Sequence, residues 1–339
     1  MNSSLRSMMV AVFVIAEAIV IVGVFSSIAQ AAALLPQLPS QTALQYGQEC
    51  AAKVSPVPAF SCMDGVLIPI TVNGKTPATY TPQMVCDKPS LLVEPASQQT
   101  DGQCVPYSRV LLLRDDNVAQ ISAICRQKKI RPAASTLFDE IDIVAHNVRS
   151  GSTCWFQAVA AAPLSAAHGI DGRRVSSPTE APVAGNIWNP PAVTAQAQCV
   201  NCHDSGPFMY SPFIAQAKLV PGDPFGKYKN DIGADFQRWQ KPFGITTRGN
   251  TCTTCHRIGN MNSCHVALLE STGQLASPGQ DAAAQQYPLS HWMSPGNMHS
   301  KMQWDQIFAE SAKKLAACCE NPGGLGCQVV DYNGVKQRR

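Results

Sequence analysis

The sequence predicts an α+β fold: a disulfide-rich, mixed α/β domain over residues 32–165, then a mainly helical, loop-rich domain over residues 192–339. Three observations lead there. Strand-like alternation and hairpin turns crowd the first part, while helix starts with matched caps cluster in the second. From Pro163 to about Pro191 the chain is rich in Ala, Gly, Ser and Pro, the composition of a linker or an irregular wrap, placed at 166–191. With 25 Pro, 23 Gly and 14 Cys but only 14% charged residues, the chain suits a loop-rich fold held by cross-links. Its 339 residues suffice for two modest domains.

Residues 1–31 have the pattern of a secretory signal. Arg6 gives a positive start, Met8 to Phe25 is apolar apart from Glu17, and Ala29-Gln30-Ala31 matches a small-residue cleavage site. An uncleaved anchor is the competing reading, with membrane contact only in that case; the run is short for a bilayer span and Glu17 sits in its middle. Export to the periplasm or beyond also permits disulfides.

In the first domain, Val66 to Val72 reads as a strand closed by the Asn73-Gly74 turn, and Pro69 demotes it to an edge. Val110 to Leu113 is a second apolar run. Asn117 is placed to cap a helix with Val118, Ile121 and Cys125 on one face and Arg126, Lys128 and Lys129 at its end. Ile141, Ile143 and Ala145 alternate with polar neighbours, and a turn at Arg149–Ser152 leads into Thr153–Gln157, which makes a hairpin. Asp115-Asp116 and Asp139-Glu140 read as solvated turn residues rather than catalytic pairs. No nucleophile or phosphate loop appears, and this domain carries no assignable activity.

The second domain is built around Cys199-Val200-Asn201-Cys202-His203 and Cys252-Thr253-Thr254-Cys255-His256. Both read Cys-x-x-Cys-His. Two thiols at this spacing can form thioethers to the two vinyl groups of one porphyrin, and the adjoining His then supplies an imidazole nitrogen to its iron. From the Cys and His frequencies, on the order of 0.01 such matches are expected by chance. One zinc on four thiols, or a pair of disulfides or redox dithiols, gives neither His a role. The other ten cysteines divide into Cys50, Cys62, Cys86, Cys104, Cys125 and Cys154 before the motifs and Cys264, Cys318, Cys319 and Cys327 after them. A bridge between the neighbours Cys318 and Cys319 is disfavoured by geometry.

On these two motifs the last 150 residues or so resemble the dihaem c-type cytochromes. The resemblance implies two covalent haems c, with Cys199, Cys202, Cys252 and Cys255 as attachment points and His203 and His256 as proximal iron ligands. Forty-eight residues separate His203 from Cys252, too few for two tandem cytochrome domains, so one compact dihaem unit is expected. Helices are expected from Ser211-Pro212, through Asp235 to Trp239, from Ser263 to Thr272, and from the capping box at Ser300, with Trp304, Phe308, Ala312, Leu315 and Cys319 on one face.

The second ligand of each iron is open. Class I cytochromes c place a Met in a Pro-containing loop before a C-terminal helix, which Trp292-Met293-Ser294-Pro295-Gly296 resembles apart from the intervening Ser294. Met293 is the first candidate for the second haem, with His291 beside it. For the first haem the candidates are His146, His168, His265, His291 and His299; His265 and His291 lie in the haem region, while His146 reads as a hairpin surface residue. The expected function is electron transfer between redox partner proteins. A haem enzyme, peroxidase-like or a small-molecule reductase, is the alternative if one iron has an open sixth position, and a haem-based sensor or binding subunit is a third reading. The net charge of +3 and the lack of a basic stripe argue against nucleic acid as a partner.

Overall fold

The computed structural model describes residues 41–90, 99–181, 186–219, 221, 225–271 and 299–333. The signal-like segment and the loop with His291 and Met293 lie outside these residues. Helices and antiparallel sheets are both present, so the content is mixed α+β. Strands β1 (Val66–Leu67), β2 (Arg109–Asp115), β3 (Ala119–Arg126), β5 (Glu140–Asn147) and β6 (Thr153–Val159) form one antiparallel sheet in the order β1-β2-β3-β5-β6. Two small pairs complete the strands: β4 (Leu137–Phe138) with β7 (Ile170–Asp171), and β8 (Gly244–Thr247) with β9 (Cys327–Val330).

The expected edge strand is there but short. β1 stops after Leu67, ahead of Pro69, and the chain turns at Asn73-Gly74 with φ of 50° and 73°. The segment read as a helix from Asn117 is instead β3. Ala119, Ile121, Ala123 and Cys125 are all buried, and the residues between them are half-buried. That period of two places one face in the core, and β-branched Ile121 and Ile124 suit it. Asp116 caps the preceding turn by accepting from the Val118 and Ala119 amides at 2.8 and 2.9 Å. The β5–β6 hairpin forms as expected, with His146 opposite Thr153 and Ile143 opposite Phe156.

The two sheet faces meet different parts of the chain. Ile121, Ile143, Cys154 and Phe156 lie under α1 (Ala43–Lys53), whose Thr42 and Gln45 form a capping box. Tyr46 of α1 packs tilted against Phe156 with ring centroids 5.1 Å apart, and Cys50 bridges to Cys154. Ile124, Asp142, Val144, His146 and Trp155 point the other way, toward the chain that begins at Cys199. One buried cluster therefore runs from Tyr46 and Ile143 through Trp155 to Val200, Trp239, Met261 and Tyr332.

Asp139 and Glu140 are not solvated turn residues. Asp139 and Arg131 form a fully buried bidentate pair at 2.6 Å. The same guanidinium donates to the Ser165, Ala166 and His168 carbonyls, so it ties the irregular 163–171 stretch to the sheet. Farther along, Val175 bridges Phe60, and Trp188 is buried.

Five disulfides form: Cys50–Cys154, Cys62–Cys125, Cys86–Cys104, Cys264–Cys319 and Cys318–Cys327. Each stays within its own sequence group, and Cys318 and Cys319 pair apart. Beyond residue 191 the described chain is mostly loops and single turns around α2 (Pro191–Gln196) and α3 (Pro212–Ala215), the latter capped by Ser211 as expected. Phe236–Arg238 makes one tight turn only. A wide turn at Ser263–Ala267 runs into α4 (Leu268–Ser271). From Ser300, with its capping box formed, α5 (Lys301–Trp304), a wide turn at Asp305–Ala309 and α6 (Glu310–Glu320) run on without a break. Trp304, Ala312, Leu315 and Cys319 of that rod are buried as its apolar spacing requires. Among the described residues no helix is long and apolar enough to cross a membrane.

Candidate functional site

Both Cys-x-x-Cys-His stretches fold into the same single turn. In the first, the Cys202 and His203 amides donate to the Cys199 carbonyl at 3.2 and 2.9 Å; in the second, those of Cys255 and His256 donate to Cys252 at 3.3 and 3.0 Å. One helical turn brings positions i, i+3 and i+4 to one side, so each motif can present two sulfurs and an imidazole together. Gln198, left-handed at φ 50°, turns the chain from α2 into the first motif. Asn250 shapes the second: its carbonyl oxygen accepts from the Cys252 and Thr253 amides, and its amide nitrogen donates to the Ser311 carbonyl of α6 at 3.0 Å.

Cys199, Cys202, Cys252 and Cys255 are the free thiols among the described residues, in a chain whose other ten cysteines are paired. Burial, and then the nearby Asp142 charge, pushes the Cys199 thiol up to about 12, and burial also raises Cys252. A redox dithiol depends on a lowered thiol pKa, the opposite of this.

The His203 ring is fixed from two sides. Its Nδ1 donates to the Pro207 carbonyl at 2.9 Å, since a carbonyl can only accept, and this leaves the lone pair on Nε2. Trp155 of β6 meets the ring edge-on at 4.9 Å. Burial holds His203 down at about 4 and also lowers His256, so both imidazoles are neutral, as an iron ligand must be. His256 lines a shallow cleft with Ile245, Ile258, Val330 and Tyr332.

The two motifs clasp each other through the residues that follow them. Asp204 is fully buried and accepts from the Met261 amide at 2.6 Å, the Ser263 amide at 3.1 Å and the Ser263 hydroxyl. Burial raises its carboxyl to about 6. Gly259 passes so close that an added Cβ would stand 2.4 Å from Asp204 Cγ, so no side chain fits there. In return, Arg257 donates to the Ser205 carbonyl at 3.4 Å and the Gly226 carbonyl at 2.6 Å, and lies over the Tyr332 ring at 4.2 Å. Asn262 reaches Cys202 Sγ at 3.3 Å. The spacing of 48 residues is thus matched by direct bonds between the segments that follow the two motifs.

No known protein family, curated protein or solved structure matches this chain.

Among the described residues no three Cys, His, Asp or Glu side chains converge as a cage for a protein-bound ion. A porphyrin supplies four donors itself and asks one or two ligands of the chain, so the paired free thiols and neutral imidazoles fit that group. Of the other expected ligands, His265 is exposed on the turn before α4, with Nδ1 4.0 Å from Glu320. His168 is exposed and bonded to Ser165. The His299 ring packs on Phe308. His146 is not a surface residue: it is 4% exposed and faces the first motif's loop. Sequence reasoning missed Asp204, Arg257 and Trp155. The first two stand directly after a motif His, and a charge in that position was the available signal.

Proposed function

We propose that this chain is an exported dihaem c-type cytochrome that passes electrons between redox partner proteins. The observation that carries the reading is the pair of identical Cys-x-x-Cys-His turns whose four thiols stay out of the disulfides. Haem bound there supplies one-electron redox chemistry. Cys199, Cys202 and His203 would hold one group; Cys252, Cys255 and His256 would hold the other. Pro207 fixes the tautomer of His203, and Trp155 packs against its ring. The buried cluster from Ile143 to Met261 keeps water from one side of the first motif. The reciprocal bonds of Asp204 and Arg257 hold the motifs as one unit, which favours exchange between two nearby centres. Five disulfides suit the oxidising compartment in which covalent haem is attached.

The second reading is a haem enzyme in which one iron keeps an open sixth position, or a haem-based sensor or binding subunit. Optical and electron paramagnetic resonance spectra with and without CO decide between them. Two low-spin irons that ignore CO are expected of the carrier. A high-spin, CO-binding iron overturns the pure carrier and supports the enzyme or sensor.

A further inference from the structure

We infer that a small polar cleft beside the sheet binds a carboxylate through Arg126, Gln127 and Lys128. The inference is independent of the haem reading. The cleft lies where the end of β3 meets the loop closed by Cys86–Cys104, and Ser90, Thr100, Arg126, Gln127, Lys128 and Phe213 line it.

Gln127 carries the argument. It is 6% exposed, and its backbone amide donates to the Ser108 hydroxyl at 3.0 Å. Its side-chain oxygen accepts from Arg131 Nη1 at 2.7 Å. A guanidinium only donates, so this contact settles which end of the amide is oxygen and which is nitrogen. The remaining end is an NH₂ group. It is buried, and among the described residues it has no hydrogen-bond partner. A buried donor left unmade is costly, so its position marks where an acceptor belongs.

The residues on either side are cations. Among the described residues the bonds of Arg126 run through Nε, which donates to Asp142 at 2.8 Å and stands 4.0 Å from Glu140. The four N–H of its terminal nitrogens are left for a further acceptor. Lys128 pairs with Glu140 and keeps two more donors. Burial, and then the facing Glu140 carboxylate, push the Asp142 carboxyl up, so the two cations are not fully balanced by these two acids. Three consecutive residues thus offer donors and positive charge, which suits a ligand that only accepts. A carboxylate does so in one plane, as a guanidinium requires. Buried Phe213 of α3 supplies an apolar wall for its carbon stem. Two sources carry this group: a short free acid, or a propionate of a haem at the first motif, where the Arg126 charge is felt by Cys199 and His203.

The test is calorimetric titration with sodium acetate, against sodium chloride at equal ionic strength, of the exported protein made in a host that attaches haem. The same titration is run on a chain carrying Cys199→Ala and Cys202→Ala. Saturable binding of one acetate is expected. Binding to the unaltered chain supports the inference with a free acid as the occupant. Binding only to the chain without the first motif's thiols supports it with a propionate as the occupant. Acetate binding to neither chain overturns it. In whichever chain binds, Gln127→Glu keeps the oxygen bonded to Arg131 and replaces the free NH₂ by a second oxygen, and is expected to weaken acetate by about tenfold or more. Lys128→Gln removes a charge from a half-buried position, is expected to weaken it also, and decides the matter if circular dichroism shows that Gln127→Glu does not fold. Unchanged acetate affinity in the folded variants overturns the inference.

Discussion

Asp204 shows how one carboxylate can hold the segments after the two motifs together. Its three acceptor bonds satisfy the buried Met261 amide and the half-buried amide and hydroxyl of Ser263. Asp204→Ala orphans two amides and a hydroxyl, and is expected to cost about 1–3 kcal/mol. Asp204→Asn keeps an oxygen for the amides and an NH₂ for the Ser263 hydroxyl, so it should cost less. Burial raises the Asp204 carboxyl from 3.8 to about 6, so the native chain holds this proton more tightly than the unfolded one. The group's contribution is therefore full below the lower value, falls as pH rises between the two, and is flat above. The change is roughly 3 kcal/mol. Urea midpoints across that window should decline for the native sequence and lose this decline in Asp204→Asn; parallel curves would contradict the assignment. The two motifs were legible as a repeated pattern, and both fold into the same turn. Asp204 was not, because an acidic residue before Ser-Gly-Pro reads as a solvated loop until the segment around Gly259 closes over it.

At the scale of elements, periodicity was decisive where one face is fully buried and misleading where two periods overlap. Ile141, Ile143 and Ala145 admit only a strand. Val118, Ile121 and Cys125 satisfy a helical stripe, yet the chain chose β3, because Ala119 and Ala123 fill the alternate core positions and Cys125 must meet Cys62. Disulfide pairing was legible only by group, since connectivity depends on which strands adjoin. Two predictions belong here. The Arg131–Asp139 pair is fully enclosed, so Arg131→Ala leaves a buried charge and should cost about 3–5 kcal/mol, read as a lowered denaturation midpoint. Cys264–Cys319 staples the turn after the second motif to α6. Replacing both by Ser should cost about 2–5 kcal/mol. It should also loosen the environment of the second centre more than the first, visible as a selective change in one of the two haem spectra.

In the whole molecule, a disulfide-bonded sheet meets a two-motif segment through a single buried cluster. The sequence showed a cysteine-rich part and a motif-bearing part. It did not show that the sheet presents Trp155 and His146 to the first motif and its loop, because those contacts join residues far apart in the chain. Since the motifs form separate turns, removing the thiols of one should leave the other loaded: Cys199→Ala with Cys202→Ala is expected to carry one covalent haem and not zero. The most direct measurement is intact mass spectrometry of the denatured, exported protein from a host that attaches haem. The expected mass is the mature chain plus two haems, and plus one haem when either pair of motif thiols is removed. A chain without covalent haem, or one holding zinc across both thiol pairs, would contradict it.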